Sequence, residues 1–280
     1  MKTSLVAVAA ITAMSLASTS AFATAQANAS ITNLSVSLSQ LKSTGPAPSV
    51  TFYSSNGDEF YSYEYTYDPF TYQYDVTYGS GAFGAGGSSA TSALAGATAS
   101  LTGDVLSDAG ATVTASSYAS GSGGPGLPYS YGQGIIYLGN AGGWTDFTLG
   151  ANTVLDISAL YSISTSTSVS LPTGNEYASA SVQLALNGGN GTTYQSSTSS
   201  DGITSQSYFG TYYQPNAVVT GELDVSFVGK RTSTTSGSFF GEAYTYAYSD
   251  VSAVPEPANL SCLLGGLAAI GLMARRRKSH

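Results

Sequence analysis

The sequence predicts an all-β fold, an antiparallel β-sandwich or jelly-roll-like body, on three observations. Apolar and aromatic residues recur at every second position in run after run, and short Gly-, Asn- and Pro-rich stretches separate those runs. Outside the two ends, no stretch keeps a 3.6-residue period. Composition agrees. Only 9% of the 280 residues are charged, against about 25% in an average globular protein. The surface is therefore left to Ser, Thr, Asn, Gly and the 21 Tyr, which suit strands and turns better than helices.

The clearest element is a hairpin. Tyr61, Tyr63, Tyr65 and Tyr67 alternate with Ser62, Glu64 and Thr66; after Asp68-Pro69 the alternation resumes with Phe70, Tyr72, Tyr74, Val76 and Tyr78. The same period marks Val182, Leu184, Leu186, then Leu223, Val225, Phe227, then Tyr244, Tyr246, Tyr248. Further strands are expected over 31–38, 93–101, 111–118, 134–138, 147–149 and 154–169. Turns are expected at 79–87, 121–128, 139–143, 187–191 and Asp201-Gly202. The Ala-rich stretch 90–99 contains Gly96, several Thr and Ser and no caps, so it reads as strand or loop. Residues 24–253 carry no long charged or Pro-rich linker and read as one domain.

The single Cys, Cys262, and the single His, His280, lie in the last 19 residues. A Cys/His zinc site, a thiol nucleophile, a disulfide and a Ser-His-Asp triad are therefore impossible in the body. Within residues 24–253, 15 acids face only Lys42, Lys230 and Arg231, a net charge of −12. Such a surface repels phosphate backbones and anionic lipid, so no nucleic-acid partner is expected.

Both ends read as addresses. Residues 1–23 have Lys2 in a basic leader, an apolar stretch from Leu5 to Ala17, and the small-x-small site Ala21-Phe22-Ala23. That order is a secretory signal peptide, handled by the Sec machinery and cut by signal peptidase after Ala23. Ala25 and Ala27 also satisfy the small-residue rule, allowing a slip of two or four residues. At the other end, Val254-Pro255-Glu256-Pro257 precedes the apolar stretch 260–274 and the basic cluster Arg275, Arg276, Arg277, Lys278. As a single transmembrane helix, residues 260–274 reach about 22 Å against a hydrocarbon core of about 30 Å, a marginal anchor with its basic end in the cytoplasm.

Motif, short span and Arg cluster in that order resemble the PEP-CTERM sorting signal of Gram-negative bacterial surface proteins. The resemblance covers residues 254–278. It implies recognition by an exosortase, with Pro255, Glu256 and Pro257 as the recognition core, the span as retention segment and Arg275 to Arg277 as the stop. It further implies removal of the C-terminal segment, delivery to the cell surface or extracellular matrix, and association with exopolysaccharide and biofilm. The residues suit that role: two prolines without N–H groups keep 255–257 extended and unpaired, open to a processing enzyme. An ordinary tail anchor with a proline hinge is the plainer alternative. Ile31-Thr32-Asn33-Leu34, with the stretch from Pro46 to Phe52, also looks like the opening of some secreted proteins carrying this signal.

For the body, the sequence offers candidates rather than a site. Tyr63, Tyr65, Tyr72 and Tyr74 are candidate glycan contacts, since an aromatic face stacks on a pyranose and its hydroxyl bonds to the sugar edge; half-buried packing is the plainer role. A glycosidase needs only two carboxylates, and Glu59, Glu64, Glu176, Glu222, Asp224 and Glu242 are available. Asp58-Glu59 or Asp104 with Asp108 offer oxygens to a hard cation, but no Ca²⁺-loop pattern is present, and scattered solvated acids are the better reading. The sequons at Asn28, Asn33 and Asn190 carry little weight in so Ser/Thr-rich a chain. No catalytic residue, cofactor or metal is assigned, and the expected protein is not an enzyme.

Overall fold

Alternation of small or apolar residues with hydroxyl-bearing ones runs almost unbroken through the chain, and each such run forms a strand. The structure, a computed structural model, describes residues 24–53, 59–67, 70–78, 85–92, 94–102, 111–120, 129–138, 144–168, 174–189, 193–208, 211–214 and 216–250. They form fifteen strands: β1 (Thr24–Gln40), β2 (Val50–Tyr53), β3 (Glu59–Tyr67), β4 (Phe70–Tyr78), β5 (Gly86–Thr91), β6 (Ala95–Thr102), β7 (Thr112–Ser120), β8 (Ser130–Leu138), β9 (Thr145–Leu149), β10 (Thr153–Thr167), β11 (Asn175–Gly189), β12 (Tyr194–Tyr208), β13 (Thr211–Gln214), β14 (Ala217–Val228) and β15 (Thr235–Ser249). The fold is all-β, and every strand pair is antiparallel.

Two sheets result. The six-stranded sheet has the order β14-β10-β1-β7-β6-β5. The nine-stranded sheet runs β13-β12-β11-β15-β8-β3-β4, with β9 pairing with β15 beyond the end of β8 and β2 pairing with β9. Buried residues of both sheets form one core, to which Ile31, Ile157 and Ile163 of the first and Val182, Leu184 and Ala243 of the second belong.

That core is graded from end to end. Near the start of β1 it is built from Ala25, Ala27, Ala115, Ala119, Ala178, Ala180 and Ala247, with Gly132 and Gly134 on the inner face of β8. A Cβ at Gly132 would sit 2.3 Å from the Gly96 carbonyl oxygen, and one at Gly134 would sit 2.8 Å from that of Thr98. Those oxygens belong to the opposite sheet, so the two backbones approach closely here. At the far end the core is aromatic: Phe147 meets Phe227 edge to face at 5.3 Å and Phe52 at 6.0 Å.

Among the described residues, Asn33 and Asn152 are the non-glycine residues with positive φ, 54° and 61°. Asn33 sits where the β1–β10 register slips, a bulge that turns both Ile31 and Leu34 inward although they are three apart. Asn152, 1% exposed, ties the far end together: its Oδ1 accepts from the Lys42 amide at 2.8 Å and its Nδ2 donates to the Lys42 carbonyl at 2.9 Å. The open edges of the six-stranded sheet are capped by side chains of the other. Asp75 and Gln73 of β4 accept from the Ser89 and Thr91 amides of β5, and Gln195 of β12 bonds both amide and carbonyl of Val228 in β14. Such capping closes the edges to foreign strands.

The hairpin pairs as expected, Tyr63 opposite Tyr74 and Tyr65 opposite Tyr72. Other sequence expectations need correcting. Asp201-Gly202 is no turn but the middle of β12, opposite Val182 and Ser181. Residues 187–189 continue β11, and Gly86 and Gly87 open β5. In each case the backbone finds ladder partners, which outweigh the local turn preference of Gly, Asn and Asp. The first strand begins at Thr24 rather than Ile31, and β2, β12 and β13 have no counterpart in the alternation. The Asp68-Pro69 link, Asp58, Asp104, Asp108, Asn190, residues 1–23 and the whole of 254–280 lie outside the described residues. Among the described residues no helix is long and apolar enough to cross a membrane.

Candidate functional site: a tyrosine face

Because side chains alternate across a strand, Tyr63 and Tyr65 of β3, Tyr131 of β8, Tyr177 of β11 and Tyr246 and Tyr248 of β15 reach the same outer face of the nine-stranded sheet. Register then lines them up. Tyr72, Tyr65, Tyr131, Tyr248 and Tyr177 stand side by side on five neighbouring strands, β4, β3, β8, β15 and β11. Tyr74, Tyr63 and Tyr246 stand in the next row.

The rings engage one another. Tyr63 stacks on Tyr131 with centroids 5.1 Å apart and planes 24° apart, and Tyr65 stacks on Tyr131 and on Tyr129 at 5.4 Å. Tyr129 reaches Tyr248, Tyr131 reaches Tyr246, and Tyr177 meets Tyr246 edge to face, each within 6 Å. The Tyr131 hydroxyl donates to that of Tyr63 at 2.7 Å. Burial first, and then this bond, push the Tyr131 hydroxyl far above the ordinary phenol range, while burial holds Tyr246 and Tyr248 up at about 12. These phenols stay protonated and neutral at every physiological pH.

Of the four sequence-selected tyrosines, Tyr63, Tyr65 and Tyr72 meet in this ladder, and Tyr74 stands in its edge strand. Their roles differ. Tyr63 and Tyr65 turn their faces to neighbouring rings and offer outward mainly ring edge and hydroxyl. Tyr72 and Tyr74 are each 54% exposed. The exposed aromatic surface of the ladder described here is thus at its β4 edge rather than along its length. Sequence reasoning passed over Tyr129, Tyr131 and Tyr177. The alternation of Tyr129 and Tyr131 with Ser130 and Gly132 was the available signal, masked by the surrounding glycines.

The carboxylates scatter. Glu222 and Asp224 share the outer face of β14, both exposed, consistent with the alternation. Glu59 and Glu242 flank Tyr137 on the outer face, one strand to each side, and the Glu242 carboxyl is raised by burial. Glu242 lines a shallow pocket of about 290 Å³ with Ser181, Gln183 and Gly202. Asp201, also at its wall, turns its carboxylate to the inner face, where the Tyr161 hydroxyl and the Gly202 amide donate to it. The pocket thus presents one carboxylate, not a pair. Glu176 is buried in the core. Among the described residues no group of three acidic, His or Cys side chains is placed to hold a metal ion. Comparison of the chain with protein-family models, with curated proteins and with solved structures finds no match.

Proposed function

We propose that this chain is an exported, non-enzymatic surface protein of a Gram-negative bacterium, sorted by an exosortase through Val254 to Pro257 and placed in the envelope or exopolysaccharide matrix. There it acts as a structural or adhesive component of the biofilm. One observation carries the reading: a segment with a signal peptide's pattern and one with a sorting signal's pattern bracket a body that forms strands from Thr24 to Ser249. Two core-sharing antiparallel sheets, with sequence-distant strands as neighbours, support a jelly-roll-like sandwich. The capped edges of the six-stranded sheet and the net negative charge suit a protein that must stay monodisperse outside the cell without disulfides.

The test is the intact mass and terminal peptides of the protein recovered from cells and from matrix. A mature form starting at Thr24 and ending between Val254 and Pro257 is expected. Replacing Pro255, Glu256 and Pro257 by Ala should trap the uncut chain in the inner membrane, and normal surface delivery of that variant would overturn the sorting role. A carbohydrate-binding module using Tyr faces and acidic loops is the second reading, favoured by the exposed Tyr72 and Tyr74. On that reading Tyr72→Ala and Tyr74→Ala weaken retention on matrix polysaccharide, whereas Tyr63→Ala costs stability instead. A polysaccharide hydrolase is the third, and the separated carboxylates give it little support.

A further inference from the structure

Among the described residues, the end of the body where β1 begins gathers acceptors without a cation. Glu176, 2% exposed on β11, accepts from the Ser168 amide at 2.6 Å and from the Ser168 hydroxyl at 2.8 and 2.9 Å. Beside it, Asp250 accepts from the backbone amide and the side-chain Nδ2 of Asn175, and from the Tyr248 hydroxyl. Five buried side-chain oxygens among the described residues lack a hydrogen-bond partner, and three of them, Thr167 Oγ1, Asn175 Oδ1 and Ser249 Oγ, are at this end. Ser249 is the direct cross-strand partner of Glu176, and Thr167 precedes Ser168. A buried carboxylate normally has a basic partner. The body's three bases are at the opposite end, where Lys42 and Lys230 bond to Asn152 through their backbones and Arg231 follows. The 17 residues of β1 separate the two ends by roughly 50 Å.

Signal cleavage would bring a cation to the acidic end. The Ser168 amide that binds Glu176 also donates to the Thr24 carbonyl at 3.0 Å. Opposed residues that share such a bond in an antiparallel ladder exchange both, so the Thr24 nitrogen faces Ser168 as well. In the uncut chain that nitrogen is an amide with a single proton. Cleavage after Ala23 turns it into an ammonium group with three donors and a positive charge.

We propose that the α-ammonium group of Thr24, created by signal cleavage, is the missing partner of Glu176 and Asp250, so that removal of the signal peptide completes the packing of β1. The inference rests on the exported reading above, and it selects among the candidate cleavage sites. Ala25 and Ala27 are fully buried, and each pairs with both β7 and β10. Cutting after either would delete ladder from a central strand, whereas cutting after Ala23 leaves β1 whole. Burial raises the Glu176 carboxyl to about 7, with the Asp250 charge adding to the rise, as befits a site still lacking its cation.

The test uses the exported protein purified from cells, its amines labelled by reductive ¹³C-methylation and followed by NMR through a pH titration. Only the α-amine, Lys42 and Lys230 of the body are labelled. The α-amine is expected to titrate at least one unit above the ordinary 7.7–8.0, and to return to that range in E176Q. D250N gives a smaller shift the same way, and the wild-type titration decides alone if E176Q does not fold. An α-amine at its ordinary value in wild type overturns the inference, as does a mature chain starting at Gln26 or Asn28. A chain still carrying Met1 overturns the exported reading with it, and mass spectrometry of the same sample separates these outcomes.

Discussion

The two ends of the body solve the same packing problem with opposite materials. At the end where β1 starts, Ala and Gly let the sheets approach until backbone nearly meets backbone, and the ionisable group buried there is the carboxyl of Glu176. At the other end Phe52, Phe147, Phe227 and Phe239 fill a wider space, and a single Asn152 satisfies the loops that close it. The difference teaches where each end is vulnerable. The aromatic end fails by losing volume, the small-residue end by gaining volume or by changing charge.

Phe147→Ala breaks the aromatic end and is expected to cost about 3–5 kcal/mol, because neighbouring rings held by opposed sheets cannot collapse into the space. Chemical denaturation measures it; a loss under 1 kcal/mol would mean the rings there are not one packed unit. Charge tests the other end. The folded pKa of Glu176, about 7, lies above its ordinary 4.5, so the folded state holds the proton more tightly than the unfolded state. With the Thr24 nitrogen acetylated, stability should therefore be full below about pH 4.5 and fall by about 3 kcal/mol as the pH rises to 7. With the free amine the fall should shrink, and melting curves across that range compare the two.

Gly132→Ala adds one carbon that would meet the Gly96 carbonyl oxygen at 2.3 Å and that of Tyr118 at 2.9 Å. Overpacking of about 1–3 kcal/mol is expected, whereas the same addition at the exposed Gly202, 3.3 Å from a Ser181 side chain, should change little. The smallest effect concerns Asn152. Asn152→Ala and Asn152→Gly lose the same bonds to Lys42, but alanine must also hold φ near 61°, so glycine should be the milder change by about 1 kcal/mol. Equal losses would show that the backbone there relaxes once the side chain is gone.

Much of this was legible in advance. The period-2 runs named the β3–β4 hairpin and most of the long strands, because alternation is a local property that burial of one face imposes on each strand separately. The failures share a cause. Asp201-Gly202 and the start of β5 carry turn residues but lie in ladders, and what makes them strands is a partner in the preceding or the next strand, Val182 and Ser181 or Leu101 and Ser100, outside the local window in which turn residues are read. The Tyr face was half visible. Tyr63, Tyr65, Tyr72 and Tyr74 announce themselves by alternation, whereas Tyr131 and Tyr177 join them only through the register of β8 and β11.

By itself, the sequence determined the all-β class, the exclusion of Cys and His chemistry from the body, and its acidic charge, since these depend on composition and on neighbours two residues apart. Only the tertiary structure decided which rings stack, which edges are capped, and that Glu176 is buried at the start of β1, about 150 residues away in sequence. Pairing partners and register are set by how two sheets close over one shared core, and no stretch of sequence read alone contains both sides of that contact.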